Sequence, residues 1–415
     1  MGNITDKKGI IILGAGVMQI PAILKAKELG LFVIASDKSP NAPGFRYADY
    51  ALTLDIKNAS GHVEFAKANK EMFNISGVLA GADVAITAAK IAVALGLPGI
   101  PVEVAERSNN KWLMKQKWLS DGIATPYAEE VSTLGEARIA VKKVGLPCMV
   151  KAIDNAASRG SRRIDSEAEL EAALIDAKNH STTKTALIEE FVEGNEQSVE
   201  FVVHNGTHHR FGIVDRHFGF EPFPIEVGHT NPSKLSKEIQ EELYSLVVKA
   251  AASLGIEFGP YKADTILTKK GPMILELPAR LSGGFHSQYT TPLATGLEPQ
   301  KAALALAVGM NIPEQAITQT HSKVTVCKAV FPAPGRVVSI SGVDEAKTLK
   351  GVNEIFLMVK PGDIIEEYKN CAHRVCYIIA TGSDFNEAEE NWASAGNTVK
   401  IETIREEELA DAVAL

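Results

Sequence analysis

Few cysteines and the lack of any long apolar run are the first features of this 415-residue chain. Its four cysteines are too few and too scattered for a disulfide framework, and none has Cys-x-x-Cys zinc spacing. Gly, Pro, Gln or Lys interrupts every apolar stretch well before the roughly 20 residues that a membrane span needs. These absences argue against a disulfide-stabilised domain, a zinc ribbon and a membrane protein.

The chain also lacks a surplus of basic side chains. It has 43 Lys and Arg against 51 Asp and Glu, which gives a net charge of −8. Proteins that bind nucleic acid usually carry a basic surplus that replaces the counterions of the phosphates, so we expect no nucleic-acid partner. The first residues, MGNITDKKG, contain no apolar signal segment, and we therefore expect a cytoplasmic protein.

The pattern along the chain predicts an α/β and α+β multidomain protein. From Gly9 to about Ala105, short apolar runs alternate with helical ones, which is typical of β-α-β units and a parallel sheet. The middle of the chain contains several strands, and the last two are joined at Lys269-Lys270-Gly271, which indicates a hairpin in an antiparallel sheet. We predict a Rossmann-like domain over 1–105, a central domain over 106–325 with a lid at about 125–190, and a small C-terminal α/β domain over 326–415.

The first strand-to-helix turn supports two interpretations. Gly14, Gly16 and Asp37 have the spacing of a dinucleotide-binding fingerprint, in which the turn binds a pyrophosphate and the acid binds a ribose. Gln19, however, stands where the third glycine of that fingerprint belongs. The same residues suit a tight turn without a ligand, so an NAD-dependent oxidoreductase is a remote alternative.

A loop of small and basic residues is a candidate phosphate site. Lys151 ends a short apolar strand, and the stretch Ser158-Arg159-Gly160-Ser161 follows it. Backbone N–H groups of small residues can surround phosphate oxygens while Lys and Arg neutralise their charge. The Walker A pattern is absent, and a mobile polar loop with a solvated lysine fits equally well.

A second candidate site lies at the end of the strand that contains Glu189. Glu190, Phe191 and Val192 follow directly, and Glu196 comes seven residues after Glu189. An apolar pair can hold a purine, and a carboxylate one turn further on can accept the hydroxyls of a ribose. Solvated acidic residues at a strand end are the alternative interpretation.

The late hairpin contains the strongest signal. Asp264 lies on its first strand and Glu276 on its second, and the turn predicts that the two carboxylates face each other. Two adjacent carboxylates repel unless a cation lies between them, and hard oxygen ligands suit Mg²⁺. Arg280 follows four residues later, and the small residues Ser282-Gly283-Gly284 allow a ligand to approach the backbone.

Taken together, these motifs resemble the ATP-grasp superfamily over nearly the whole chain. The resemblance is carried by an α/β domain, Lys111 on a helix, Lys151 with its glycine loop, the EEFVEG-E segment, and paired carboxylates ahead of Arg280. Among the members, the pattern is similar to that of carboxylate–amine ligases, particularly the bacilysin-type L-amino-acid ligases.

The resemblance implies a role for each residue. Lys111 and Lys151 would contact the phosphates of ATP, and Ser158 to Ser161 would close over them. Glu189, Phe191 and Val192 would hold adenine, with Glu190 beside them and Glu196 on the ribose. Asp264 and Glu276 would bind Mg²⁺, with Mn²⁺ as an alternative. Arg280 would act in catalysis with Lys151, and the substrates would meet Glu226, His229, Arg280, Ser282, Gly283 and His286.

The resemblance implies the ATP-dependent joining of a small carboxylate to an amine through an acyl phosphate, with an amino acid as a substrate. Alternatives within the superfamily are a purine-pathway ribonucleotide ligase and a bicarbonate-using carboxylase. Dimerisation is usual in the superfamily, so we expect a homodimer. The chain departs from many relatives at Glu276-Leu277-Pro278, where Pro278 replaces the asparagine that supplies a further oxygen ligand.

Overall fold

A computed structural model describes residues 6–405 of the chain. By their contacts these residues fall into two compact units that are discontinuous in sequence. The first contains the described part of 1–125 with 197–213 and 235–320, and the second contains 126–196, 214–234 and the described part of 321–415. Each unit combines segments of more than one of the domains predicted above.

A parallel sheet forms the N-terminal part of the first unit. Its four strands lie in the order β3-β2-β1-β4, so the predicted parallel sheet is confirmed. Its side chains are apolar on both faces, as expected for strands that are covered by helices on both sides. The elements are β1 (Gly9–Leu13), α1 (Ile20–Glu28), β2 (Phe32–Asp37), β3 (Tyr50–Thr53), α2 (Ala59–Asn69), β4 (Ile75–Ala80) and α3 (Ala85–Leu95).

The glycine turn after β1 is closed by the chain itself. The side chain of Gln19 accepts a hydrogen bond from the N–H of Gly16 (3.1 Å) and donates one to the carbonyl of Gly81 (2.7 Å). Asp37 accepts from the N–H of Ala15 (3.1 Å). Because the donors that would face a pyrophosphate are engaged by Gln19 and Asp37, the geometry favours the structural turn over the dinucleotide site.

Two helices and a small antiparallel sheet follow. The helices α4 (Val102–Asn109) and α5 (Lys111–Ser120) belong to the first unit. In the second unit, four strands form a sheet in the order β5-β8-β6-β7. Two helices pack on this sheet around an apolar cluster that includes Val150, Ile164 and Leu174. The elements are β5 (Ala128–Val131), α6 (Leu134–Val144), β6 (Cys148–Ala152), β7 (Ser161–Ile164), α7 (Leu170–His180) and β8 (Ala186–Glu190).

The longest sheet is built from strands of the middle and the C-terminal parts of the chain. Its first strands are β9 (Asn195–His204), β10 (Thr207–Gly219), β11 (Ile225–Asn231), β12 (Gly259–Thr268) and β13 (Gly271–Glu276), with α8 (Lys237–Leu254) between β11 and β12. The predicted hairpin is therefore confirmed as β12 and β13. In the first unit, α8 packs with α5 over a core that includes Trp118, Phe201 and Tyr261.

Short helices and the C-terminal strands complete the fold. They are α9 (Thr291–Thr295), α10 (Pro299–Ala307), α11 (Glu314–Ile317), β14 (Val324–Val330), β15 (Gly335–Ser341), α12 (Val343–Lys347), β16 (Val352–Leu357), β17 (Ile364–Ile365), β18 (Cys376–Gly382), α13 (Phe385–Thr398) and β19 (Lys400–Ile404). The long sheet has the order β13-β12-β9-β10-β11-β14-β18-β16, and β17, β15 and β19 form a separate three-stranded sheet in the order β17-β15-β19. Within residues 6–405, every helix is too short or too polar to cross a bilayer.

The close packing of β4 against α10 in the first unit can be tested at Gly77. A Cβ atom at this position would lie 2.2 Å from the backbone carbonyl oxygen of Ala307 at the end of α10. We expect Gly77→Ala to lower the free energy of unfolding by about 1–3 kcal/mol, because α10 must move to relieve the overlap. Thermal unfolding followed by calorimetry measures the effect.

Gly135 is the matched control, since it is exposed on α6 and a Cβ there meets only the distant Thr133 hydroxyl, at 4.0 Å. Gly135→Ala should leave the unfolding temperature unchanged or raise it slightly, because alanine favours helix by up to about 1 kcal/mol. Equal unfolding temperatures for the two variants would contradict the packing argument.

Candidate functional site

The hairpin of β12 and β13 places two carboxylates opposite each other. Asp264 is the direct register partner of Glu276, and a bulge follows between Asp264 and Thr265. Asp264 is buried, with 4% of its surface exposed, and its Oδ1 accepts a hydrogen bond from the hydroxyl of Ser198 on β9 (2.6 Å). The two carboxylates therefore lie opposite each other as predicted, with the bulge completing the register, and together they concentrate negative charge.

Two lysines of the first unit neutralise this charge. The Lys262 ammonium lies 2.5 Å from Oδ2 of Asp264 and 3.5 Å from Oε1 of Glu276. Lys111, the first residue of α5, places its ammonium 3.5 Å from Oε2 of Glu276. Buried carboxylates require such partners, since desolvated charges without a counter-charge are strongly unfavourable.

The lysines also set the charge state of Glu276. Burial raises the pKa of its carboxyl, but the ammonium groups of Lys111 and Lys262 lower the pKa further than burial raises it. The pKa of Glu276 therefore lies below its ordinary value despite the neighbouring Asp264. Glu276 is ionised at neutral pH and available as an oxygen ligand.

The paired carboxylates fit one hard divalent cation. Mg²⁺ is commonly held by one or two carboxylates, with waters and substrate phosphates as the other ligands. Beyond Glu276, the position of the usual asparagine is Pro278, whose carbonyl oxygen already accepts from the N–H groups of Lys262 (3.3 Å) and Arg280 (2.9 Å). The hairpin therefore supplies two carboxylate ligands, and position 278 supplies no side-chain oxygen.

Arg280 is held in one orientation beside the carboxylates. Its Nε donates to Oδ1 of Asp83 (2.5 Å), and its Nη1 donates to the carbonyl of Leu281 (2.8 Å). Burial lowers the pKa of the guanidinium, but Asp83, Glu276 and Asp264 raise it above its usual value. Arg280 therefore presents a permanent, oriented positive charge that suits a phosphate or a carboxylate.

The segment after Arg280 is a tight turn tied to one buried acid. Glu200 on β9 accepts from the N–H of Ser282 (2.6 Å) and from the hydroxyl of Ser287 (2.5 Å) through the same oxygen. Gly283 has open space around it, since a Cβ there would meet no atom within 4 Å. His286 is buried at the start of the π-helical turn His286–Thr290. Glu200 thus anchors the turn that was predicted to receive substrate.

In the second unit, Lys151 and Glu189 form a nearly buried ion pair. Their side chains project from neighbouring strands β6 and β8, and the Lys151 ammonium lies 2.8 Å from Oε1 of Glu189. Glu189 has 2% of its surface exposed. The structure therefore brings together two residues that were predicted separately as a phosphate contact and an adenine contact.

The residues beyond β8 are less buried. Phe191 packs its ring under the guanidinium of Arg163, which lies 4.5 Å from the ring centroid. Glu190 ends β8, and its backbone N–H donates to the carbonyl of Tyr127 (2.8 Å). Val192 follows as a partly exposed apolar side chain. This is the hinge segment that the resemblance assigns to adenine.

The loop after β6 is held by contacts within its own unit. Ser158 adopts a positive φ of 58°, and its hydroxyl donates to the carbonyl of Pro224 (2.7 Å). The backbone N–H of Cys371 donates to the carbonyl of Ala157 (3.0 Å). Arg159 donates from Nε to Oδ1 of Asn155 (2.9 Å), and Gly160 packs against α7, while Ser161 begins β7. The loop has defined partners rather than the solvated conformation that was the alternative.

Arg216 on β10 links two of the predicted acids. Its Nη1 donates to Glu196 (3.0 Å) and its Nη2 donates to Glu226 (3.1 Å). The backbone carbonyl of Glu226 also accepts from Arg374 (2.9 Å). His229, buried with 2% of its surface exposed, is the register partner of Arg216 across β10 and β11.

Most of the predicted residues of each unit therefore lie close to one another in the structure. In the first unit Lys111, Asp264, Glu276 and Arg280 share one cluster, and Ser282, Gly283 and His286 form the adjoining turn. Sequence reasoning missed Lys262, Ser198, Glu200, Arg216 and Arg374. The alternation of side chains along a strand could have identified Lys262. Lys262 precedes Asp264 by two residues, so the two side chains lie on the same face of β12.

Comparisons with known proteins agree with this arrangement. Residues 144–288 match a family model described as an ATP-grasp domain, and residues 329–403 match the second C-terminal domain of L-amino acid ligases. The structure is similar to that of an L-amino acid ligase from Bacillus licheniformis, with a TM-score of 0.82 and 23% identity, covering 97% of this chain and 100% of that one.

Two curated relatives are similar in sequence. The chain is 26% identical to the uncharacterized protein y4rH of Sinorhizobium fredii, over 79% of this chain and 68% of the relative. It is also 26% identical to a phosphoribosylamine–glycine ligase of Leifsonia xyli subsp. xyli, over 95% of this chain and 97% of the relative.

The pKa of Glu276 predicts a pH dependence of stability. A carboxyl whose pKa is lowered on folding stabilises the protein above its unfolded pKa, and this contribution is lost as the pH falls through the folded pKa. We expect Glu276→Gln to be less stable than the wild type at pH 7, and the gap to narrow below about pH 4, near the unfolded pKa of glutamate.

Chemical denaturation at several pH values measures this gap. Glu257→Gln is the matched control, because Glu257 is an exposed glutamate of the same unit. Its stability should follow that of the wild type at every pH. A gap for Glu276→Gln that stays constant or widens on acidification would contradict the charge pairing.

Proposed function

We propose that this chain, which contains an ATP-grasp domain and a C-terminal domain of L-amino acid ligases, joins a small carboxylate to an amine through an acyl phosphate and acts on an amino acid. The resemblance that the sequence motifs predicted is confirmed at the level of the superfamily by the matched domains. The proposed substrate class goes beyond that level.

The cluster of Asp264, Glu276, Lys111 and Arg280 is the observation that carries the proposal. It combines two ionised oxygen ligands with oriented cations in a largely buried environment. Phosphoryl transfer needs this combination, because negative charge develops on the transferred group and little other chemistry is required of the protein. A bound Mg²⁺, or Mn²⁺ in its place, would lie on Asp264 and Glu276 and withdraw charge from the phosphates.

In the second unit, the proposed contacts are those of the nucleotide. Lys151 would bind phosphate oxygens, with Glu189 holding its ammonium in place. Phe191 and Val192, with Glu189 and Glu190, would bind adenine, and Glu196 would accept the ribose hydroxyls. Ser158, Arg159, Gly160 and Ser161 would lie over the phosphates, with the guanidinium of Arg159 adding positive charge.

The proposed reaction has two steps. A carboxylate oxygen of the first substrate attacks the γ-phosphorus of ATP and forms the new O–P bond of an acyl phosphate. The bond between the γ-phosphorus and the β–γ bridging oxygen breaks, and ADP leaves with that oxygen. The amine then attacks the acyl carbon and expels phosphate, and the amine gives up a proton. Arg280 would neutralise the charge on the transferred phosphoryl and the acyl phosphate, and Glu226 with His229 would receive the amine.

The amino-acid assignment is supported by the C-terminal part of the chain. Residues 329–403 match a domain found in L-amino acid ligases, and this segment contacts the proposed substrate acid, since Arg374 donates to the carbonyl of Glu226. A purine-pathway ribonucleotide ligase is the second candidate, which the likeness to phosphoribosylamine–glycine ligase favours. The homodimer remains a prediction.

The test is to incubate the purified protein with MgATP and pools of amino acids and small carboxylic acids. We expect phosphate release that requires both a carboxylate and an amine, with a product one water lighter than their sum by mass spectrometry. A pool of phosphoribosylamine and glycine tests the second candidate. Failure to bind ATP would refute the proposal.

Arg280→Ala separates a role in chemistry from one in nucleotide binding. Loss of one preorganised donor to the negative charge that develops in a transition state lowers turnover about 10²- to 10³-fold in oxyanion holes. We expect a fall of this order in kcat, with the KM for ATP changed by only a few-fold. Steady-state kinetics with the identified substrates measures both constants.

Arg138→Ala is the control, because Arg138 is an exposed arginine on α6. It should show wild-type values of both constants. Parallel losses in kcat and in ATP affinity for Arg280→Ala would assign Arg280 to ground-state binding instead.

A further inference from the structure

We propose that Lys262 is a built-in cation of the carboxylate pair, which takes the place of a second divalent ion, so that the nucleotide complex contains one such ion. The inference rests on the proposed function, because it concerns the metal that accompanies ATP. It assigns a role to a residue that neither the motifs nor the matched domains single out.

The position of Lys262 is the first argument. It lies two residues before Asp264 on β12, so both side chains project from the same face of the strand. Its ammonium is 2.5 Å from Asp264 and 3.5 Å from Glu276, and only 7% of its surface is exposed. An ammonium between two carboxylates does there what a bound cation would do.

The ligands on Asp264 are the second argument. Its Oδ1 accepts from the Ser198 hydroxyl, and its Oδ2 accepts from Lys262. Both oxygens therefore already have a protein donor. One divalent ion can share this carboxylate with Glu276 through remaining lone pairs, but a second would have to displace the ammonium from Oδ2.

Repulsion and ligand supply are the third argument. Like charges repel strongly where water is excluded, and Lys262 and Asp264 are both buried, so a second dication beside Lys262 is disfavoured. Mg²⁺ also requires oxygen ligands in near-octahedral geometry, which an ammonium cannot supply. The carbonyl of Pro278 is engaged by the N–H groups of Lys262 and Arg280, and so it does not replace the missing amide oxygen.

The experiment counts metal ions rather than turnover. The full chain, in small excess over the non-hydrolysable analogue AMPPNP, is titrated with Mn²⁺, and electron paramagnetic resonance reports both the free ion and any coupling between neighbouring bound ions. We expect one Mn²⁺ per bound AMPPNP and no coupled signal for the wild type.

Three variants identify the cause. Lys262→Met keeps the length of the side chain without its charge and should bind two Mn²⁺ with a coupled signal, whereas Lys262→Arg keeps the charge and should bind one. Lys270→Met is the matched control, because Lys270 is an exposed lysine in the turn of the same hairpin. It should bind one Mn²⁺.

Two coupled Mn²⁺ ions in the wild type, or one in a folded Lys262→Met variant, would overturn the inference while leaving the proposed function intact. If Lys262→Met does not fold, the wild type and Lys262→Arg decide, since two ions in either overturn the inference and one in both supports it. A wild type that does not bind AMPPNP would refute the proposed function and this inference with it.

Discussion

Neutralisation of buried carboxylates is the constraint on which the candidate site depends. Asp264 and Glu276 face each other on a hairpin whose surroundings are apolar, and their charges persist only because cations contact them. Lys111 at the start of α5 meets this requirement for Glu276, and Asp83 holds Arg280 in one orientation. A cluster that stabilises its own negative charge in this way is also suited to receive the phosphates of a nucleotide.

Local patterns made much of this predictable from the sequence. The hairpin of β12 and β13 followed from alternation and a short turn, because these two features predict which strands pair. The direct opposition of Asp264 and Glu276 depends in addition on the bulge between Asp264 and Thr265, which neither feature predicts. The parallel sheet followed from alternating strands and helices for a similar reason. Contacts such as those from Ser198 or Glu200 to the hairpin region could not be predicted, since they depend on which distant strand lies beside β12.

Arg216 shows the same limit more clearly. Its two carboxylate partners are 20 residues before it and 10 residues after it, and the register of β10 against β11 shifts at a bulge between His217 and Phe218. A bulge moves every later side chain relative to the partner strand, so alternation alone does not give the pairing. The glycine turn after β1 is the opposite case, in which a familiar spacing was present but Gln19 fills the turn.

The C-terminal segment contacts two of the proposed site segments of the second unit as well as contributing to its packing. Cys371 donates its backbone N–H to the loop at Ala157, and its thiol lies 3.6 Å from the Ser158 hydroxyl. Arg374, three residues later, donates to the carbonyl of Glu226. One short stretch of the domain shared with L-amino acid ligases therefore contacts both the proposed phosphate loop and the strand of the proposed substrate acid. Because substrate choice depends on such supporting contacts, differences in this domain are a physical route by which related enzymes with one ATP site could select different substrates.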